Sequence, residues 1–217
     1  IGSNVPALVK HLAGEFPGVR FALDQYHAAY FVRDFPRGLR ELIRDGSIHE
    51  LKMPIQSGCE RVLKAMNRVT NLAKLAEYVQ EAAALDPDLL FVTHVITGFP
   101  TETEAEFRES VAYVKRVFTH NALVYVFPCS VHPATPAAGL EPRVPYEEAI
   151  RRARDAEAAF RQAGMDVCLD QLDAIRAQTY EALSEAHAAT IVDILFTADR
   201  QWAAPISDGG AGGPRPF

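Results

Sequence analysis

The chain has 217 residues, 48% of them hydrophobic, and a formal net charge of −6 at pH 7. This length is enough to bury one substantial core, and the acidic balance excludes a chain that binds nucleic acid by overall charge. No apolar run approaches the about 18 residues of a transmembrane helix, and the N-terminus has no signal-peptide pattern, so we expect a cytoplasmic protein without a membrane partner.

Helical and strand-like patterns alternate from the N-terminus. Val5 to Phe16 has helical spacing, and Val19 to Leu23 is a short apolar run that ends on polar residues. A second helix is predicted over Asp34 to Arg44, where Asp45-Gly46 ends it, and a second strand over Ile48 to Ile55. The alternation predicts two successive αβ steps.

The same alternation continues through the middle of the chain. Periodicity predicts, in order, two helices, a nearly continuous apolar strand, a helix and a fourth strand, at Glu60 to Met66, Leu72 to Leu85, Leu89 to Ile96, Thr103 to Phe118 and Asn121 to Phe127. Thr103 and Glu106 have the spacing of a capping box. Because strands and helices alternate with short connections, we expect a parallel sheet with ligand-binding loops at the carboxyl ends of its strands.

After the fourth strand and a loop rich in proline and alanine, the pattern becomes helical. Helices are predicted over Tyr146 to Gln162 and Leu169 to Ala188, with a break at Gly164, and the C-terminus is rich in glycine and proline. These patterns divide the chain into a barrel-like part (1–145), a helical extension (146–190) and a tail (191–217). We expect the end of the tail, residues 204–217, to be flexible.

The three cysteines restrict the chemistry. Cys59, Cys129 and Cys168 are far apart in the sequence, and none of them lies in a CxxC or CxxxCxxC spacing. An odd number of dispersed cysteines is typical of a reducing compartment. The sequence therefore predicts buried thiols, with no disulfide framework and no metal site.

Two turns that follow predicted strands carry glycine and polar residues, Gln56-Ser57-Gly58 and Gly98-Phe99-Pro100. Glycine permits a sharp turn and the close approach of a ligand. Free N–H groups at the start of the helix that follows can meet an anion or a ribose hydroxyl. The alternative is that the polar groups only cap the following helices, and the spacing leaves both interpretations open.

Three segments, in order, resemble the radical S-adenosylmethionine methylthiotransferases. Residues 54–68 (PIQSGCERVLKAMNR) closely resemble a signature of that family, residues 96–103 (ITGFPTET) resemble its IxGFPGET segment, and residues 130–137 (SVHPATPA) resemble its SxRPGTPA loop. The resemblance covers about residues 1–160. It implies an α/β fold, the latter four βα units of an incomplete parallel (β/α)6 barrel, followed by C-terminal helices.

The resemblance implies S-adenosylmethionine and a [4Fe–4S] cluster as cofactors, with an electron from the cluster generating a 5′-deoxyadenosyl radical. It implies a cofactor-binding set beside the adenosine, made of Gln56, Ser57, Gly58, Ile96, Gly98, Phe99 and Pro100. Candidates for a substrate pocket are His27, which follows a strand end, and Ser130 and His132 in the third segment. No catalytic residue is assigned.

The chain also departs from the family pattern. The CxxxCxxC loop that would ligate the cluster is absent, so we expect an N-terminal segment, or another chain, to cover the open sheet edge, and we expect the isolated chain to be inactive. Thr101 and Ala134 stand where glycine is usual. His132 stands where arginine is usual, and His94 where an acidic residue is common.

The activity implied is that of a radical transferase acting on tRNA or on a protein side chain. Tail segments of tRNA-modifying members usually form a basic β-barrel, whereas the residues after Gly164 have a helical pattern, so the substrate stays open. Three alternatives stay open as well: another radical reaction on the same barrel, a non-catalytic half-barrel that acts as a scaffold, and a cluster-free α/β enzyme that binds a nucleotide.

Overall fold

The computed structural model describes residues 4–131 and 134–169, and the predictions for residues 170–217 lie outside this range. Its elements follow one another in the order α1 (Val5–Glu15), β1 (Phe21–Leu23), α2 (Ala28–Asp34), a 3-10 turn (Phe35–Arg37), α3 (Leu39–Arg44), β2 (Ile48–Lys52), α4 (Glu60–Ala65), α5 (Leu72–Leu85), β3 (Leu90–Thr97), α6 (Glu104–Val117), β4 (Ala122–Pro128), a second 3-10 turn (Pro136–Gly139), α7 (Tyr146–Gln162) and β5 (Asp166–Leu169). All four predicted strands are present, and so are the helices predicted at the positions of α1, α4, α5, α6 and α7.

The strands form one parallel sheet in the order β1-β2-β3-β4-β5, which is also their order along the chain. Right-handed crossovers between sequential neighbours place every connecting helix on the same face of a sheet. We call the face of the sheet that the helices cover the helical face, and the opposite face the open face. Alternate strand residues on the open face are partly exposed. Because β1 and β5 are the edges, the sheet is not closed in the described part of the chain, which confirms the predicted incomplete parallel α/β barrel.

The hydrophobic core lies between the helical face and the helices. Phe91 of β3 packs edge-on against Phe118 at the end of α6, with ring centroids 6.1 Å apart. Phe160 of α7 is fully buried, and α7 contacts β3, β4 and β5. The strands and α7 therefore share one core.

Local sequence signals explain where the long helices begin. Asn71 precedes α5, and its side chain accepts a hydrogen bond of 2.9 Å from the backbone N–H of Lys74. The predicted capping box at the start of α6 is confirmed, because the Thr103 hydroxyl accepts from the N–H of Glu106 and the Glu106 carboxylate accepts from the N–H of Thr103. Of the helices in the described ranges, none is both long and apolar enough to cross a bilayer.

The structure differs from the predicted elements in two places. The segment from Asp34 to Arg44 is not one helix, because α2 already begins at Ala28 and Gly38, with a left-handed φ of 116°, separates the 3-10 turn from α3. β5, which pairs with β4 in parallel, was not predicted from the sequence. The helix predicted over about Leu169 to Ala188 lies outside the described residues apart from Leu169, the last residue of β5. At four residues, β5 is too short for its pattern to be read from the sequence.

Candidate functional site

The two glycine-containing turns lie side by side at the carboxyl ends of β2 and β3. An isolated parallel bridge joins Gln56 to Val95 beyond the end of β2. The N–H of Gln56 donates to the His94 carbonyl at 2.9 Å, and the N–H of Ile96 donates to the Gln56 carbonyl at 2.8 Å. The two turns therefore lie at one edge of the sheet, where loops at the carboxyl ends of parallel strands are expected. We call residues 56–58 the Gln56 turn and residues 98–103 the Gly98 turn.

The hydrogen-bond ladder between β2 and β3 ends at Gln56. This residue is half-buried and has a φ of 69°, a left-handed conformation that is uncommon for a residue other than glycine. The next N–H in register, that of Gly58, turns away and donates to the Ser110 hydroxyl at 3.0 Å. The Ile96 carbonyl therefore lies at the rim of the sheet, past the last hydrogen bond that joins β2 to β3.

The remainder of the Gln56 turn packs against α6. Ser57 is fully buried, its hydroxyl lies 2.8 Å from that of Ser110, and it accepts a hydrogen bond from the N–H of Cys59, the residue before α4. A Cβ on Gly58 would stand 2.5 Å from the Cβ of Tyr113 on α6. In this structure, therefore, Ser57 fixes the chain just before α4, and Gly58 allows α6 to pack closely. The N-cap of α4, Cys59, makes no side-chain capping hydrogen bond.

The Gly98 turn packs just as closely against α7. Gly98 has a φ of 75°, and a Cβ at this position would stand 2.3 Å from the Cβ of Ala149. The buried hydroxyl of Thr97 donates to the carbonyl of Ala149 at 2.8 Å. The glycine is thus required both by its backbone conformation and by the approach of a helix.

A buried ion pair connects the Gly98 turn to α7. One carboxylate oxygen of Glu102 accepts from the N–H of Gly98 at 2.7 Å and from Arg152 at 3.0 Å, and neither side chain has more than 7% of its surface exposed. Arg152 also donates to the Glu102 carbonyl at 3.0 Å. Burial raises the pKa of Glu102, while the Gly98 N–H and Arg152 act in the opposite direction. Sequence reasoning missed this pair, whose signal was a charged residue at a buried position of α7.

Phe99 and Pro100 are buried at the same rim. Phe99 is 8% exposed and forms a small apolar cluster with Cys59 and Val62, separate from the main core. Leu140 lies partly buried against the same cluster. The ring of Phe99 is therefore covered by protein atoms, and its contact with a ligand stays a prediction.

Two of the three substrate-pocket candidates, His27 and Ser130, lie within the described residues. His27 precedes α2, where its Nδ1 accepts from the N–H of Ala29 at 3.1 Å, so that this nitrogen carries no proton. Burial, and then the charge of Arg68, lower the pKa of His27. Ser130 is exposed after β4, and His132 lies outside the described residues.

The open face carries an aromatic cluster that sequence reasoning missed. His94 on β3 lies between Tyr125 and Phe127 of β4, with ring centroids 5.2 and 5.3 Å away. Burial, followed by the charge of Lys52, lowers the pKa of the half-buried His94. Lys52 forms an ion pair with Asp24 at 3.1 Å. Period-two alternation along β4 was the available signal, because it places residues 125 and 127 on one face.

The described residues do not fit an iron–sulfur cluster. Such clusters are held by cysteine thiolates, but Cys59 is buried, Cys129 half-buried and Cys168 exposed. Burial raises the pKa of the Cys59 thiol, which favours its protonated form. Within residues 4–131 and 134–169, no group of three or more His, Cys, Asp or Glu side chains is arranged to hold a metal ion.

The chain is similar to tRNA-modifying enzymes of several bacteria. It is 34% identical over 149 residues to the tRNA-2-methylthio-N(6)-dimethylallyladenosine synthase of Neisseria meningitidis, a match that covers 67% of this chain and 32% of that relative. Synthases of the same name from Geobacillus kaustophilus and Acidovorax sp. are 29% and 25% identical, over 75% and 86% of this chain and 30% and 41% of their own length. No family model matches the sequence.

Among solved structures, the fold is similar to Escherichia coli coproporphyrinogen III oxidase (HemN), which is described as a radical SAM enzyme. The TM-score is 0.55 at 16% sequence identity, over 74% of this chain and 37% of that one. This likeness concerns the fold alone, and the chain spans only 30% to 41% of the length of the curated relatives named above. Motifs, fold and relatives agree, and the chain belongs to the methylthiotransferase family of radical S-adenosylmethionine enzymes.

Proposed function

We propose that this chain forms the part of a radical S-adenosylmethionine barrel that binds the adenosyl group at the carboxyl ends of β2 and β3. The observation that carries the proposal is the direct hydrogen bonding between Gln56 and the end of β3. Residues other than glycine with a left-handed backbone, such as Gln56, are strained, and strained residues are concentrated at functional sites. Parallel α/β sheets also bind their ligands at this end.

The roles within the proposed site follow from exposure. The Ile96 carbonyl and the half-buried Gln56 supply polar groups that can meet the edge of an adenine. The turns owe their backbone conformation to Ser57, Gly58 and Gly98. The Gly98 turn is packed against the protein through the buried side chains of Phe99 and Pro100. When bound, S-adenosylmethionine supplies the deoxyadenosyl radical chemistry of the family.

The proposed substrate is tRNA or a protein side chain. The relatives named above are called tRNA-2-methylthio-N(6)-dimethylallyladenosine synthases, and this name supports the first choice. His27, Ser130 and His132 are proposed to contact the substrate, and the aromatic cluster on the open face, which would face the inside of a completed barrel, offers a flat apolar wall. We also propose that the protein is located in the cytoplasm.

We further expect these 217 residues alone to hold no [4Fe–4S] cluster and to perform no turnover, because the described residues do not fit one. The cluster ligands would then come from outside this sequence. Anaerobic reconstitution with iron and sulfide tests this. A stoichiometric brown chromophore on this chain would contradict the expectation.

Calorimetric titration of the chain with S-adenosylmethionine, and separately with ATP, tests the binding site. Gln56→Gly removes the side-chain amide while keeping the left-handed backbone, and we expect about tenfold weaker binding of S-adenosylmethionine, the worth of a buried hydrogen bond. The matched control is Asn121→Gly, also left-handed at a φ of 40° but located before β4 at the opposite end of the sheet. Equal loss in both variants, or tighter binding of ATP, would contradict the proposal.

A non-catalytic scaffold is the second candidate. It is favoured by the internal satisfaction of the two turns, in which Ser57 and the Gly98 N–H both bind protein atoms. Under this candidate, the titration with S-adenosylmethionine gives no saturable heat. Iron and sulfide analysis of the full-length, anaerobically reconstituted protein then finds no cluster.

A further inference from the structure

One arginine connects the helix after the Gln56 turn to the Gly98 turn. Arg61 lies in the first turn of α4, and its guanidinium donates to the carbonyl of Thr101 at 2.7 Å and to the hydroxyl of the same residue at 3.1 Å. It also forms a two-point contact with the carboxylate of Glu106 on α6, through Nε and, at 2.8 Å, through Nη2. The side chain is half exposed, so an arginine that would otherwise face solvent is engaged at all three of its nitrogens.

Thr101 is the residue in the turn that most needs such support. Its φ is 71°, in the left-handed region that a β-branched side chain disfavours. Two hydrogen bonds from Arg61 reach this residue, and its own N–H donates to the Pro142 carbonyl at 2.8 Å. The contacts of Arg61 thus offset a backbone conformation that a glycine would adopt without help.

The partner on α6 is itself fixed. Glu106 closes the capping box, and its carboxylate accepts from the N–H of Thr103 at 2.8 Å. Arg61, and after it the Thr103 groups, lower the pKa of Glu106 to about 2. The carboxylate is therefore charged at neutral pH and holds the guanidinium between the helix start and the turn.

From this geometry we infer that Arg61 is a positioning residue, which sets the spacing between the Gln56 turn and the Gly98 turn by holding Thr101 in its left-handed conformation. The inference rests on the proposed function in that these two turns are the proposed adenosyl site. The effect of Arg61 on the conformation of Thr101 can nevertheless be measured without any ligand. Loss of Arg61 should loosen the Gly98 turn locally, and a glycine at position 101 should make Arg61 dispensable.

Hydrogen exchange followed by mass spectrometry or NMR on the whole 217-residue chain tests the ligand-independent part. In Arg61→Gln we expect the N–H of Thr101 to exchange about tenfold faster, because the left-handed state loses its support. The control amide is Met53, which is fully buried and donates to the Val92 carbonyl at 2.7 Å. An equal acceleration at Met53 would mean a general loss of stability and would overturn the inference.

Three further variants sharpen the result. The double variant Arg61→Gln with Thr101→Gly should return exchange to within about twofold of the parent protein, since glycine adopts this backbone freely. Arg61→Lys, which keeps the charge but not the forked geometry, should lie between. Arg108→Gln removes an exposed ion pair with Glu104 on the same helix and should change nothing at the turn. Should Arg61→Gln fail to fold, the lysine variant and Thr101→Gly alone decide the matter.

Titration with S-adenosylmethionine adds the functional readout. We expect about tenfold weaker binding in Arg61→Gln and recovery in the double variant with Thr101→Gly. If the parent protein does not bind S-adenosylmethionine, the proposed function fails while the exchange data still judge Arg61. If binding is unchanged in Arg61→Gln although the turn has loosened, the exchange data still support the positioning role of Arg61. The proposed placement of the adenosyl group at the Gly98 turn is then contradicted.

Discussion

Substituting Gly98 by alanine should be among the most destabilising single-methyl changes in this chain. The new Cβ would stand 2.3 Å from the Cβ and 2.8 Å from the Cα of Ala149, both far inside contact distance. Overpacking of this kind costs about 1–3 kcal/mol, and alanine at a φ of 75° adds roughly 1–2 kcal/mol. The expected loss is therefore about 2–5 kcal/mol, out of the about 5–15 kcal/mol that a folded domain has.

Two other glycines separate the two causes. Gly164 has the same φ of 75° but no atom within 4 Å of its added Cβ, so Gly164→Ala measures the backbone cost alone. Gly58 has no left-handed φ, yet its Cβ would lie 2.5 Å from that of Tyr113, so Gly58→Ala measures the steric cost alone. The loss in Gly98→Ala should be close to the sum of these two.

Urea unfolding followed by circular dichroism measures these differences as shifts of the midpoint at constant slope. The paired variant Gly98→Ala with Ala149→Gly should recover part of the loss, because it removes the Cβ contact but not the contact with the Cα. If Gly98→Ala is no more destabilising than Gly164→Ala, α7 yields easily, and the close packing of this helix does not determine the shape of the turn.

Three further outcomes are expected by the same assay. Arg152→Met leaves the carboxylate of Glu102 buried without its cation and should cost about 3–5 kcal/mol; recovery on adding Glu102→Gln would identify the unpaired charge as the cause. Ser110→Ala removes the hydroxyl that binds the turn after β2 and should cost about 1–3 kcal/mol, and a loss below 0.5 kcal/mol, roughly the effect of a surface substitution, would contradict this. Because burial lowers the pKa of His94, the unfolded chain takes up the proton first, so stability should fall as the pH drops below about 6.5; His94→Gln should weaken this dependence.

Most of the sheet and the long helices could be predicted because their patterns are strong. The strand ending at Thr97 is a nearly continuous apolar run, and α6 carries both a capping box and regular apolar spacing. The short elements were missed for the opposite reason. Both α2, with seven residues, and β5, with four, are too brief for periodicity to rise above their polar neighbours.

The candidate site could be located from the sequence, but its internal contacts could not. That the two turns meet follows from parallel strands, whose carboxyl ends share one edge. That Glu102 binds Arg152, fifty residues further along, depends on where α7 crosses the sheet, and no local pattern encodes it. The same holds for Arg61 and Thr101, which are forty residues apart.

Gly58 and Gly98 indicate that helix packing determines the shape of the two turns. Glycines in ligand-binding turns are usually explained by the close approach of the ligand. A ligand requires backbone approach from the rim, whereas Gly58 and Gly98 are required by helices that approach from the helical face. Both turns are thus fixed from the protein side, by α6 and by α7, before any ligand arrives. A site held in this way pays little conformational entropy on binding. In the adenosyl site that we propose, specificity then resides in the two groups assigned to contact the ligand, the Ile96 carbonyl and Gln56.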